Sequence, residues 1–290
     1  MNFPKRITLE FTNFCNLHCV FCPRRLMEKE TGFMDVKLAR KLMEEIGEHA
    51  PVAIVPFFRG ETLTHPQWDI LLESLHEFGL DQIQMATNAS LLTEKKAKRI
   101  LEIGMDTLSF SMDTLNPDLY RRFRGCDYDV SLGNVLRFLE LRKESDNTIP
   151  TVQVSAVKTP ENAHEINDFI DFWNSKVDRV RIYPMHSADG HPGSLPRSTQ
   201  SSDRKPCHKV NEDMVIYWNG DVALCNHDWT RIVTGQHIGS VVNQSIQEIW
   251  VSPAYETIRA AHQSGNLEGI LPCDHCQHWN GDPVGIVIEK

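Results

Sequence analysis

Along the first two thirds of the chain the hydrophobic pattern switches repeatedly between two periods. Residues 7–11, Ile-Thr-Leu-Glu-Phe, alternate like a strand. After Met34-Asp35 the spacing becomes helical, with Leu38, Leu42, Met43 and Ile46 on one face. Residues 52–58 form a continuous β-rich run, which suits a strand buried on both faces. A helix over 67–78 with the stripe Trp68, Leu71, Leu72 and Leu75 leads to a strand over 82–86. A helix over 93–103, stopped by Gly104, leads to a strand over 107–111. A short helix from Pro117 and a longer one over about 131–143 precede a strand at 152–156, a helix around 166–173 and a strand at 180–183. Strands alternating with helices at this pitch predict βα units and a parallel sheet, an α/β fold.

The pattern stops over 185–206, where Ser, His, Pro and Gly mark a long loop or linker. The remainder reads as a second, smaller unit. Two short apolar runs flank Asn219-Gly220, which predicts a hairpin with a type I′ turn. Ser245-Ile-Gln-Glu248 is a capping box that opens a helix through Ile249, Tyr255, Ile258 and Ala261. The organisation expected is therefore a domain over 1–184, a linker over 185–206 and an auxiliary domain over 207–290.

Composition narrows the class. A chain of 290 residues, 24% charged and 41% hydrophobic, is long enough for a full core. It has no apolar run of membrane-spanning length and no secretory h-region, so neither a membrane nor export is expected. The net charge of −9 argues against a nucleic-acid-binding surface. Eight cysteines without an export signal point to metal or redox chemistry in a reducing, cytoplasmic setting.

Three of those cysteines, Cys15, Cys19 and Cys22, stand within eight residues, directly after the first strand. They cannot all pair as disulfides in so small a loop. They can hold three corners of a 4Fe–4S cube and leave one iron open, or, with His18, a zinc ion. The spacing C-x3-C-x2-C, with Phe21 before the last cysteine, resembles the radical S-adenosylmethionine (SAM) superfamily. That resemblance implies a partial (β/α)6 barrel, with chemistry on the loops after the strands, and SAM chelated to the open iron. It further implies that an electron from the cluster splits SAM to a 5′-deoxyadenosyl radical, with a flavodoxin- or ferredoxin-type donor behind it.

The same resemblance extends to the SAM pocket. Arg59-Gly60-Glu61-Thr62 follows the second strand, where the superfamily carries a Gly-Gly-Glu-Pro type motif that receives the SAM ammonium. Gly60 and Glu61 fit; Arg59 and Thr62 depart. Thr87 and Asn88 end the third strand, and Ser109 and Ser111 end the fourth. Both resemble segments that meet the SAM ribose and carboxylate, and hydroxyls and carboxamides suit diol recognition. Val154, on the fifth strand, is expected to offer backbone to adenine.

A second set, Cys207, Cys225, Cys273 and Cys276, has the order C…G-x4-C…C-x2-C, with Gly220 as its glycine. It suits a zinc ribbon or a second cluster. The order resembles the twitch domain, the shorter relative of SPASM, which implies a second 4Fe–4S cluster with all four corners filled by protein. His208, His227, His275 and His278 read as surrounding residues rather than ligands.

One cysteine is left over. Cys126, in Arg121-Arg-Phe-Arg124-Gly-Cys126, is either a small packed thiol or the hydrogen-atom donor that a radical epimerase requires. Arg121, Arg122 and Arg124 form a solvated basic face or meet an anionic substrate group. His186 and His191, with Asp189, stand in the loop after the sixth strand, where either imidazole could take a substrate hydroxyl proton. In outline and cysteine order the chain resembles the 2-deoxy-scyllo-inosamine dehydrogenase branch of the superfamily. The reaction this implies is oxidation of a secondary alcohol on a cyclitol, sugar or aminosugar, with the auxiliary cluster as electron acceptor. A sugar epimerase using Cys126 and a maturase of peptides or proteins are the alternatives. Cys15 stands so near the start that no leader-binding domain is expected before it, which tells against the maturase.

Overall fold

Six parallel strands stand in chain order in the computed structural model, which describes residues 2–22, 24, 30–146, 148–185, 205–228, 238–274, 276 and 285–289. They are β1 (Arg6–Leu9), β2 (Ala53–Val55), β3 (Gln84–Thr87), β4 (Thr107–Ser111), β5 (Thr151–Lys158) and β6 (Arg179–Pro184). β1 pairs with β2, and β3 to β6 pair in succession; a parallel bridge from Ile54 to Ile83 joins the two groups. The helices are α1 (Val36–Gly47), α2 (Trp68–Glu77), α3 (Glu94–Ile103), α4 (Pro117–Arg124), α5 (Tyr128–Glu144) and α6 (Ile166–Asn174). The chain is a partial (β/α)6 barrel.

Local chemistry sets most boundaries. Asp35, Thr93, Asn116 and Asp127 each cap a helix by accepting backbone N–H groups of its first turn. Asp127 starts α5 three residues before the expected 131. β2 is shorter than expected because Pro56, which has no N–H to give to a ladder, ends it. The apolar faces meet between sheet and helices, where Ile7, Leu9, Leu42, Leu71, Phe110, Phe138, Val154, Phe169 and Trp173 are fully buried.

The C-terminal part adds α7 (Lys209–Glu212), β7 (Asp213–Ile216), β8 (Asp221–Ala223), β9 (Gly239–Ser240), α8 (Ile246–Trp250), α9 (Pro253–Ser264) and β10 (Ile286–Glu289). β7 lies parallel to β1 on its open side, β8 and β9 follow it antiparallel, and β10 lies antiparallel on β6. The hairpin is present, but its turn is not type I′. Gly220 alone has positive φ, at 89°, and its N–H donates to the Tyr217 carbonyl at 2.9 Å. Tyr217 N–H in turn donates to the Asp221 carbonyl, so Trp218-Asn219-Gly220 is a three-residue loop with a bulge glycine. The helix expected after Ser245 breaks in two: the capping box holds for α8, and Ser252 caps α9 with Pro253 as its first residue.

One buried ion pair ties these parts together. Glu10, at the end of β1, is fully buried and accepts from Arg59 Nε at 2.5 Å, from Arg59 Nη2, and from the N–H groups of Arg59 and Trp218. The Arg59 guanidinium lies 4.0 Å from the centre of the Tyr217 ring. The pair thus joins β1, the turn after β2 and the β7–β8 hairpin. Replacing Arg59 by Met would leave a buried carboxylate without its cation, and is expected to lower the unfolding free energy by about 3–5 kcal/mol. Urea denaturation checks this; a loss below about 1 kcal/mol would put the pair in the class of surface bridges.

Candidate active site

The cysteine loop leaves β1 and returns to α1 through a narrow neck. Thr12 Oγ1 donates to the Gly32 carbonyl at 2.6 Å, Asn13 Nδ2 donates to the Glu30 carbonyl, and Gly32 N–H donates to Asn13 Oδ1. A Cβ on Gly32 would overlap the Trp218 ring, so the β7–β8 turn props the neck from outside. Within the loop, Leu17 N–H points at Cys15 Sγ at 3.4 Å, and Cys22 N–H donates to the Cys19 carbonyl at 3.1 Å. Cys15, Cys19 and Cys22 lie close enough for their charges to act on one another. Burial pushes the Cys19 thiol up to about 12, with Arg124 pulling the other way. Three cysteines this close in one loop fit an iron–sulfur cluster with one open position.

Arg124 comes from α4, where Tyr120, Phe123 and Arg124 form one buried stripe while Arg121 and Arg122 face outward. Its Nε donates to Asp113 Oδ2 at 2.6 Å, and Nη1 lies 3.9 Å from Cys19 Sγ. Asp113 follows β4 with a positive φ of 61°, a shape held by Val157 N–H on Oδ1 and Asn162 Nδ2 on its carbonyl. Neither expectation for the basic run covers Arg124: it is an internal cation beside a cysteine. A charged residue in an apolar helical stripe was the available signal. Phe21 packs edge-on against Phe123, 5.9 Å from the Arg124 guanidinium.

The turn after β2 sits directly against the cysteine loop. A Cβ on Gly60 would overlap the carbonyl oxygens of Thr12 and Phe14, and Glu61 N–H donates to the Phe14 carbonyl at 2.9 Å. Glu61 itself is buried and turned inward. Its carboxylate accepts from Leu63 N–H, Thr87 Oγ1 and Asn88 N–H at 3.2, 2.9 and 2.8 Å. Asn88 Nδ2 donates to Asn16 Oδ1, and its Oδ1 accepts from Ser90. Glu61, Thr87 and Asn88 therefore brace the cysteine loop from the end of β3, with these polar groups engaged inside the protein. His65 closes the same turn: Nε2 donates to the Met34 carbonyl at 3.1 Å and Nδ1 accepts from Gln67 N–H at 3.0 Å. Burial holds its pKa below the ordinary imidazole value.

Beneath these loops the barrel encloses a cavity of about 630 Å³. Thr8, Thr107, Ser109, Ser111, Gln153 and Ser155 give it hydroxyls and a carboxamide. Gln153 Nε2 donates to Ser109 Oγ at 2.9 Å. Two residues of the sequence expectation turn their side chains away from the cavity, which leaves the backbone of the first where the expectation used it. Val154 points into the layer between sheet and helices, registered between Phe110 and Val180. Cys126, at the turn from α4 to α5, sets its sulfur 4.0 Å from Ser131 Oγ and packs on the core outside the cavity lining. His186, Asp189 and His191 lie outside the described residues, as do His275 and His278.

The second cysteine set converges. Cys207, Cys225, Cys273 and Cys276 all line one small cavity with Leu224, Val210 and Pro272. Three of the four are buried, and burial drives the Cys225 pKa well up. Four converging thiols in an apolar pocket fit a second, closed cluster. Lys209 and His227 line both this pocket and the barrel cavity, so one layer of side chains separates them. The sequence carried no sign of that shared wall.

Residues 9–172 match the Radical SAM superfamily, and residues 207–277 match the SPASM iron-sulfur cluster-binding domain. The tungsten-containing aldehyde ferredoxin oxidoreductase cofactor-modifying protein of Pyrococcus furiosus is 24% identical over 88% of this chain and 83% of its own length. A probable GTP 3′,8-cyclase of Methanothermobacter thermautotrophicus is 27% identical over 62% of this chain, which spans 57% of that enzyme. Streptococcus suis SuiB bound to precursor peptide SuiA has the same fold, with a TM-score of 0.72 at 18% identity over 90% of this chain and 67% of SuiB. BtrN in complex with AdoMet and 2-DOIA has a TM-score of 0.59 at 20% identity over 91% and 89%. The two structures share the fold with this chain at identities that carry no more than that.

Two outcomes are expected. Gly60→Ala should force the Phe14 carbonyl away from the turn, and anaerobic reconstitution should then load less iron on the cysteine loop than in the parent protein. Equal loading would show that the turn and the loop move independently. For His65, protonating Nδ1 would oppose Gln67 N–H. Its folded pKa is depressed, so its stability contribution is whole above the unfolded value and is lost as pH falls through the folded one. Between about pH 7 and pH 5 the urea midpoint should fall, and fall less in His65→Asn.

Proposed function

This chain belongs to the radical SAM superfamily, and we propose that it oxidises a secondary alcohol of a small polar substrate, a cyclitol, sugar or aminosugar, inside the barrel cavity. Its superfamily brings a 4Fe–4S cluster and SAM, and its SPASM domain brings a further iron–sulfur cluster. Cys15, Cys19 and Cys22 would hold the first, with one position left for SAM; Cys207, Cys225, Cys273 and Cys276 would hold the second. When bound, these groups supply hydrogen-atom abstraction from carbon and an acceptor for one electron. A flavodoxin- or ferredoxin-type protein would supply the reducing electron.

The observation that carries this reading is the wall shared by Lys209 and His227. Alcohol oxidation removes a hydrogen atom from the carbinol carbon, a proton from its hydroxyl and one further electron. The electron has to leave the cavity, and the four-cysteine pocket stands one side-chain layer away. The residues of the cavity do the binding: the hydroxyls of Ser109, Ser111 and Ser155 and the carboxamide of Gln153 can hold several substrate or SAM hydroxyls at once. His186, two residues beyond β6 in the sequence, would take the hydroxyl proton in this reading. Phe21, Gly60, Glu61, Thr87, Asn88, Ser109 and Ser111 would border SAM, and Glu61, Thr87 and Asn88 also keep the loop in place. Val154 would offer its backbone to adenine.

An epimerase is the weaker reading, because Cys126 packs outside the cavity. Modification of a protein's cofactor is the second reading. The Pyrococcus relative favours it, since the likeness runs over most of both chains.

Anaerobic analysis of the loaded protein should give about eight irons and eight sulfides per chain. Cys22→Ala should abolish 5′-deoxyadenosine release. Cys273→Ala should retain release while ketone formation falls at least about tenfold. Cys126→Ala should leave turnover within about twofold, and loss of turnover there, with solvent deuterium in the product carbon, would transfer the assignment to the epimerase.

A further inference from the structure

The barrel cavity holds more positive charge than its surroundings neutralise. Arg6, Arg124, Arg179, Arg181 and Lys209 line it, against Asp113 and Asp213. Both carboxylates are already engaged: Asp113 with Arg124, and Asp213 with Lys209 at 2.9 Å. Arg179 reaches Glu289 on β10 at 2.7 Å, and both side chains stay partly exposed. Among the described residues, no carboxylate comes within ion-pair range of Arg6 or Arg181. Arg181 is the sharper case. Its guanidinium lies 4.6 Å from the centre of the Tyr183 ring, and its Nε is buried with no hydrogen-bond partner among the described residues.

A buried guanidinium nitrogen without an acceptor is costly, and an anion held by the rest of the guanidinium offsets part of that cost. Among the described residues, none accepts from Arg181 Nε. In register, Arg181 follows Ser155 and Ser111 across the sheet, a row of hydroxyls. Arg6 stands at the start of β1, registered with Asp213, whose carboxylate Lys209 occupies. Three guanidinium groups, from β1 and β6, line this one cavity, and the fork of each suits the paired oxygens of a phosphoryl group. In a chain of net charge −9, this local excess also draws an anion inward.

We propose that Arg6, Arg179 and Arg181 form an anion cradle in the barrel cavity, and that the substrate enters carrying a phosphoryl or pyrophosphoryl group bound there. The cradle rests on reading this cavity as the substrate site. It stands apart from Arg124, which Asp113 holds beside Cys19.

The test is anaerobic calorimetry on the cluster-loaded, SAM-saturated protein, with inorganic pyrophosphate as probe and malonate as a dicarboxylate of similar charge. Saturable pyrophosphate binding is expected. Arg181→Gln should weaken it about tenfold or more, the loss of charge-assisted hydrogen bonds. Arg6→Gln, on the opposite wall, should act in the same sense and serves if Arg181→Gln does not fold. SAM affinity should stay within about twofold in both variants. No binding to the parent protein, or unchanged binding in both variants, overturns the cradle. Tighter binding of malonate than of pyrophosphate overturns the phosphoryl assignment. A parallel loss of SAM affinity would give these arginines to the SAM carboxylate instead. The measurement needs no turnover, so a failure of alcohol oxidation with anion binding intact would remove the proposed reaction and leave the cradle standing.

Discussion

The buried pair of Glu10 and Arg59 is the constraint on which the site depends. A carboxylate at the end of a central strand is tolerable only when every oxygen is satisfied, and Glu10 draws its donors from two distant segments, the turn after β2 and the β7–β8 hairpin. Those two segments flank the neck of the cysteine loop. One presses Gly60 against its carbonyls and the other presses Trp218 against Gly32. The pair contributes little as an energy source and much as a gauge, because breaking it leaves a charge out of water. The loop is thereby held by a rigid frame rather than by its own eight residues.

The same frame explains the division of labour around the cavity. Polar residues at the strand ends fall into two groups. Glu61, Thr87 and Asn88 spend their hydrogen bonds on one another and on Asn16. Ser109, Ser111, Gln153 and Ser155 face the cavity. Resemblance to a motif treats the two groups alike; geometry adds that the first also braces the cysteine loop from within.

Much of this was legible in the chain. Period alone places the strands β1 and β3 to β6 and the helices α1 to α3 close to their true limits, because each is a local pattern bounded by a cap, a glycine or a proline. The close cysteine spacings are legible for the same reason, a loop being short and a CxxC shorter. What escaped were non-local facts. Nothing near Asp213 announces that β7 will lie against β1, two hundred residues away. Arg59 looks like a defect in a glycine motif until Glu10 and Tyr217 are seen around it. The Asn219-Gly220 signal was right about a turn and wrong about its class, since only the glycine adopts positive φ. Lys209 and His227, shared by two cavities, have no sequence mark at all.

A barrel left open along one side would normally present two long rows of unpaired backbone groups. Here the row beside β1 is taken by β7 and ends, two strands later, in β9, which is two residues long. The row beside β6 is taken by the four residues of β10, with Glu289 outermost. Short terminal strands, one of them ending on a charged residue, are poor templates for a further chain to join. The auxiliary segment that carries the second cysteine set therefore has a separate consequence for solubility: it finishes the open sheet, and a truncation before Cys207 would expose both borders to strand-to-strand aggregation.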